Sequence, residues 1–216
     1  MQDLIIGTIP LLIAFLVSLR FYGDLKSDGL QIFPYFLFTI LILQTGGYFY
    51  SDIFKKSNHF IFNIYTLVEN VFYLYVFHQL IQKRVFKIAL YAGALIFFFY
   101  YFYDVLYLKQ FLIYSPLVSN IGKIVILFCC IFYFFELLIA EEILDFFVIP
   151  MFWICTGVMI MVVGDFLYIC FFQYILENNI DPDGEVYGVI TTLISVIGYT
   201  FFTIGFSCKR LWTKTR

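Results

Sequence analysis

Four side chains could do acid–base or ion chemistry in an apolar setting: Glu69, Asp104, Lys123 and Asp165. Each lies within a run of apolar residues long enough to cross a bilayer. A charged side chain at the bilayer centre costs about 2.5–3.5 kcal/mol on insertion scales, so such groups face protein, water or a ligand. The richest surroundings are in Phe60–Ile81, FIFNIYTLVENVFYLYVFHQLI. Spacings of 3 and 7 put Asn63, Thr66, Asn70 and Tyr73 on one helical stripe, with Glu69 beside it. That stripe is expected to point into a helix bundle.

Lys123 has Ser119 at i−4 and Asn120 at i−3, so the three share a face. Three acids stand against this one base. If all four meet, the cluster is formally −2, and the surplus carboxylates must take up protons or hold a cation. Three chemistries follow. Asp104 and Asp165 could act as an acid–base pair on a lipid. Glu69 and Asp165 could carry a proton or cation. Glu69 and Lys123 could instead tie two helices together. Gly164 before Asp165 and the Gly46-Gly47 pair read as places where a neighbouring helix comes close. No cofactor or metal is expected: the histidines are His59 and His78 alone, and the five cysteines (129, 130, 155, 170 and 208) show no ligand spacing and read as small buried hydrophobes. Asp181, Asp183 and Glu185 around Gly184 form half of a calcium loop and read as a solvated turn.

The elements that position these groups are spanning helices. Of the 216 residues, 63% are hydrophobic and 13% charged, with a mean hydropathy of +0.94. Soluble domains sit near 45–50% and about 25%, so lipid must be the solvent for most side chains. Seven runs approach the roughly 20 residues a span needs: Leu4–Tyr22, Gln31–Tyr50, Phe60–Ile81, Val85–Leu108, Pro116–Ile139, Phe146–Leu176 and Val186–Cys208. Pro116 and Pro150 suit helix starts, and Pro10 is placed to kink the first run. The connections are too short for another domain, and no signal peptide is visible. The expectation is an all-α polytopic transmembrane bundle, one seven-helix domain over residues 1–216.

Lysine and arginine set the orientation. With the N-terminus outside, the inner side receives nine of them and the outer side three, Lys55, Lys56 and Lys109. The C-terminus is then cytoplasmic, and the plasma (inner) membrane is the expected location. In this frame Glu69, Asp104, Lys123 and Asp165, with Gln44, Asn120, Thr191, Thr192 and Ser195, fall in mid-span or in the outer halves. Ten residues, Gln44, Asn63, Glu69, Asn70, Tyr73, Asp104, Asn120, Lys123, Asp165 and Ser195, make the candidate ligand site.

The net charge of −2 gives no case for nucleic acid. The tail cations Lys209, Arg210, Lys214 and Arg216 suit anionic headgroups. A retinal pigment needs a lysine in the middle of its seventh helix, where this chain has none. Zinc amidases of the ceramidase and adiponectin-receptor type use three histidines, and two are present. There is no spaced-arginine voltage sensor, nucleophile elbow or phosphate loop. The leading expectation is a receptor-like or signalling module that binds a small or lipid-like ligand, surrounded by membrane lipids and acting through a membrane or cytoplasmic protein partner. The alternatives are an intramembrane lipid hydrolase, similar in size and intramembrane acids to the small all-helical lysoplasmalogenase-type enzymes, and a proton- or cation-coupled transporter. Missing repeats and broken glycine–proline helices weigh against transport.

Overall fold

A computed structural model describes residues 2–140, 145–178, 180 and 185–213. The chain is all-α: 86% is helical, with no strand among the described residues. The helices are α1 (Gln2–Arg20), α2 (Tyr22–Ser27), α3 (Phe33–Phe54), α4 (His59–Leu80), α5 (Arg84–Tyr100), α6 (Pro116–Leu138), α7 (Pro150–Glu177) and α8 (Glu185–Thr213). A π-helix, Tyr101–Leu108, continues α5, and a 3-10 turn, Phe146–Val148, precedes α7.

Five helical stretches are long and apolar enough to cross a membrane: His59–Leu80, Arg84–Leu108, Pro116–Leu138, Pro150–Leu167 and Gly188–Trp212. This is an integral, multi-pass membrane protein. The first two expected spans are also helical, but neither reaches that standard among the described residues. In α1 the apolar stretch is Thr8–Arg20. In α3 the run Gln44-Thr45-Gly46-Gly47-Tyr48 dilutes the apolar character midway.

Local chemistry sets the helix ends. α6 starts at Pro116, where a missing N–H costs nothing, and the Ser115 hydroxyl caps it by accepting from the Val118 amide. α7 starts at Pro150, four residues later than the apolar run suggested. The residue before a proline avoids helical dihedrals, and Ile149 is extended at φ −89° and ψ 109°. α1 runs through Pro10. The short α2 has no counterpart in the apolar pattern; it is half charged or polar. Asp181, Asp183 and the Glu141–Glu142 pair lie outside the described residues.

Contacts divide the chain into two compact units. The first comprises residues 1–41 and 143–216. Here α8 packs against α7, α1 and α2. Glycine governs the α7–α8 seam. A Cβ on Gly157 would come within 2.7 Å of the Gly198 carbonyl oxygen, and one on Gly205 within 2.9 Å of the Pro150 carbonyl oxygen. Cβ atoms on Gly164 and Gly198 would overlap Ile194 and Met161. Both pairs are spaced by seven residues, so the glycines fall on one line along each helix. Phe33 packs edge-on to Phe202 and Phe206 at 6.2 and 5.8 Å. At the end of α8, Lys209 pairs with Asp28, and Arg210 with Asp24 at 2.9 Å while lying over the Phe21 ring. Two tail cations assigned to lipid headgroups thus have acid partners on or beside α2. Both tryptophans gather at this end: Trp153 and Trp212 are 5.6 Å apart, and the Trp153 indole donates to the Phe147 carbonyl at 3.0 Å.

The second unit comprises residues 42–142 and contains the C-terminal part of α3, with α4, α5, the π-helix and α6. α6 packs against both α4 and α5. Asn58 donates to the Gly47 carbonyl at 3.0 Å, and a Cβ on Gly47 would touch Ile61 at 3.4 Å. Gly47 therefore serves packing, while Gly46 faces open space. The end of α5 and the π-helix pack on α6 through Phe97, Tyr101, Val105 and Val118, joined by Phe111. Phe111 has a positive φ of 62°, rare for a bulky residue. Its ring on Tyr101 and the hydrogen bond its N–H donates to the Val105 carbonyl hold it there.

Four cysteines are buried as expected of small hydrophobes, but Cys170 is exposed on α7. α7 is apolar around most of its circumference, so burial does not follow from residue type there.

Candidate functional site

The α4 stripe faces protein. Asn63, Thr66, Asn70 and Tyr73 are all buried, at 7% exposure or less, whereas Glu69 beside them is half-buried. These polar side chains sort into two levels along the helix.

The first level ties down the turn between the π-helix and α6. Asn63 donates through Nδ2 to the Ile113 carbonyl at 3.0 Å, and the Tyr101 hydroxyl donates to the Asn63 carbonyl at 3.1 Å. His59 Nδ1 lies 3.3 Å from the Leu112 carbonyl. Asp104, turned toward the same loop by the π-helix, accepts from Lys109 at 2.8 Å and from the Ser115 hydroxyl. In the sequence Asp104 shares only an outer-half position with Lys123. The structure gives it Lys109 as its ionic partner, five residues along the chain. Ser115 thus both accepts, as the cap of α6, and donates to Asp104. Sequence reasoning missed Lys109 and Ser115 as partners, although Ser-Pro ahead of an apolar run is a helix-start signal.

Ser115→Ala should cost about 1–2 kcal/mol as a lost cap. Asp104→Ala should cost about 1.5–3 kcal/mol as a lost charged acceptor. In a double-mutant cycle followed by thermal unfolding in nanodiscs, the two should couple by about 1 kcal/mol. Purely additive losses would show that the Ser115–Asp104 bond carries no weight.

The second level lies between α4 and α6. The Thr66 hydroxyl donates back to the Phe62 carbonyl, and Asn70 Nδ2 donates to the Thr66 carbonyl at 2.9 Å. The Asn70 amide lies over Gly122, where a Cβ would overlap it. Ser119, Gly122 and Lys123 share that stretch of α6, and all three are buried. The Asn70 Oδ1 is buried with no hydrogen-bond partner among the described residues, and so is the Asn120 Oδ1. An unmet buried acceptor costs about 1–3 kcal/mol. Of the two, only Asn70 lies against Gly122, where α4 and α6 meet. On the neighbouring face of α4, the Tyr65 hydroxyl donates to Glu69 at 3.4 Å. Gly122 was not singled out from sequence, though a glycine beside a buried lysine is a signal of close approach.

The remaining candidates are placed as follows. Gln44 is half-buried on α3. Asp165 and Ser195 belong to the first unit, half-buried on α7 and α8. They adjoin Gly164 and Ile194, the pair at a close approach of those helices. Thr191 donates to the Gly188 carbonyl at 3.2 Å. His78, expected at an interface, meets the Tyr91 hydroxyl at 2.8 Å.

A third polar contact has no counterpart in the sequence reading. Glu136, near the end of α6, accepts from the Gln82 amide at 2.8 Å and the Lys83 amide at 2.6 Å. It thereby meets donors that precede the first turn of α5. Among the described residues, no three His, Cys, Asp or Glu side chains gather as a metal-binding set.

Compared with protein-family models, with curated proteins and with solved structures, the chain matches none.

Proposed function

We propose that this chain is a receptor-like integral membrane protein that holds a lipid-like ligand against the polar face of α4 and α6. One observation carries the reading: the Asn70 amide is buried near mid-span, lies flat on Gly122, and has an oxygen with no donor. Folding alone gains nothing from that acceptor. An amphiphile with a hydroxyl, amide or amine donor would satisfy it, and its hydrocarbon would suit the surrounding Phe and Tyr side chains. Capture of Asp104 by Lys109 and Ser115 weighs against an acid–base pair with Asp165, and so against the hydrolase reading.

The reading takes seven spans, an outer N-terminus, a cytoplasmic C-terminus and the plasma (inner) membrane. The nine-to-three distribution of lysine and arginine supports that orientation. With such short connections, a signal would pass through a membrane or cytoplasmic protein partner.

Asn70→Leu tests the reading, because leucine keeps the shape and removes the acceptor. For a ligand site, the variant should unfold at the same or a higher temperature once delipidated, and should lose an amphiphile that co-purifies with the parent chain by mass spectrometry. A fall of several degrees with unchanged bound lipid would make Asn70 a structural tie and end the proposal.

A further inference from the structure

We propose that the α5–α6 face of the second unit binds one anionic phospholipid, with an acyl chain in the groove between the helices and the phosphate on Lys83, Arg84 and Lys87. This requires only that the chain sits in a bilayer, and is independent of the Asn70 site.

The groove encloses about 490 Å³. Leu90, Val125 and Cys129 form its buried floor, and Ala92, Ile96 and Phe128 its exposed walls. It exists because α5 presents small residues there. A Cβ on Gly93 would meet Val125 at 3.0 Å, so the helices approach closely and leave a furrow outside the contact. The small side of α5 is therefore already used within the chain, rather than kept for a second helix. Size points the same way. A single hydrocarbon chain fits, and the lining offers it carbon and one thiol.

One end of the furrow is charged. Phe86 stacks on Phe132 at 4.7 Å, closing the floor. Near Phe86 in the chain stand the exposed Lys83, just ahead of α5, the exposed Arg84 and the half-buried Lys87. Among the described residues the acid at this end is Glu136, and its oxygens are engaged by the Gln82 and Lys83 amides. Those bonds also occupy the amides ahead of α5, so a phosphate would be held by side chains. Among the described residues, three cations against one committed acid favour a headgroup of net negative charge over a zwitterionic one.

Native mass spectrometry of the full chain in a neutral detergent tests this, with phosphatidylglycerol and phosphatidylcholine of identical acyl chains. The parent chain should retain phosphatidylglycerol at least about ten-fold better. Each cation near a headgroup is worth about five-fold in binding, so K83Q/R84Q/K87Q should weaken phosphatidylglycerol on the order of 100-fold and leave phosphatidylcholine unchanged. Ala92→Phe, which fills the furrow from an exposed wall, should weaken both. Equal retention of the two lipids by the parent chain, or a preference that survives the triple substitution, overturns the headgroup assignment. Undiminished binding to Ala92→Phe overturns the groove. Displacement of the lipid by millimolar glycerol phosphate would show a phosphate site without a chain site, and would also overturn the proposal.

Discussion

Gly157→Val should leave little folded protein. The new Cβ would lie 2.7 Å from the Gly198 carbonyl oxygen and 2.9 Å from the Phe201 Cβ. Neither is the far end of a flexible side chain, so relief requires α7 and α8 to separate. Overpacking costs about 1–3 kcal/mol where side chains yield; where backbone must move, a loss above about 3 kcal/mol is expected. Size-exclusion profiles in detergent should shift to aggregate, and any remaining monomer should unfold at least 10 °C lower. Gly188→Val is the control, since nothing lies within 4 Å of a Cβ there, and it should behave as the parent. Equal behaviour of the two variants would refute the glycine seam.

Glu136→Ala should loosen the connection between α4 and α5. The carboxylate accepts from two successive amides, and a hydrogen bond to a charged group contributes about 1.5–3 kcal/mol. Water reaches this end and replaces part of the loss, so a net cost of about 2–3 kcal/mol is expected. Hydrogen exchange should rise at Gln82 and Lys83 by at least ten-fold, and trypsin should cut after Lys83 or Arg84. Glu136→Gln keeps an acceptor without the charge and should fall between. Unchanged exchange at both amides would show that Glu136 does not hold the turn.

The helices and the buried stripe were legible in the sequence because both follow from periodicity. Apolar runs mark helices wherever the solvent is lipid, and spacings of 3 and 7 place Asn63, Thr66, Asn70 and Tyr73 on one face whatever packs against it. The partners of those residues were not legible. Asp104 meets Lys109 and Ser115 through a π-helix and two residues with positive φ, and neither follows from composition. Gly157, Gly198 and Gly205 looked like any glycines in apolar helices, since only the neighbouring helix gives their spacing a meaning. Two runs shifted or weakened for local reasons: Pro150 delays α7, and polar residues in mid-helix dilute α3.

The two units also imply an order of events during synthesis. The second unit is continuous from residue 42 to residue 142, so all its contacts are available once α6 has emerged. The first is split around it, and its α8 comes last. Asp28 and Asp24 meet Lys209 and Arg210 across separations of 181 and 186 residues. At about 5–20 residues per second, α1 and α2 wait roughly 10–40 seconds for α8. Until then Leu11, Ala14 and Leu25, all buried in the finished protein, lack the helix that packs against α1 and α2. The early N-terminal helices are therefore the segment most in need of a chaperone or an insertion factor, and truncation before α8 should expose them to degradation while sparing residues 42–142.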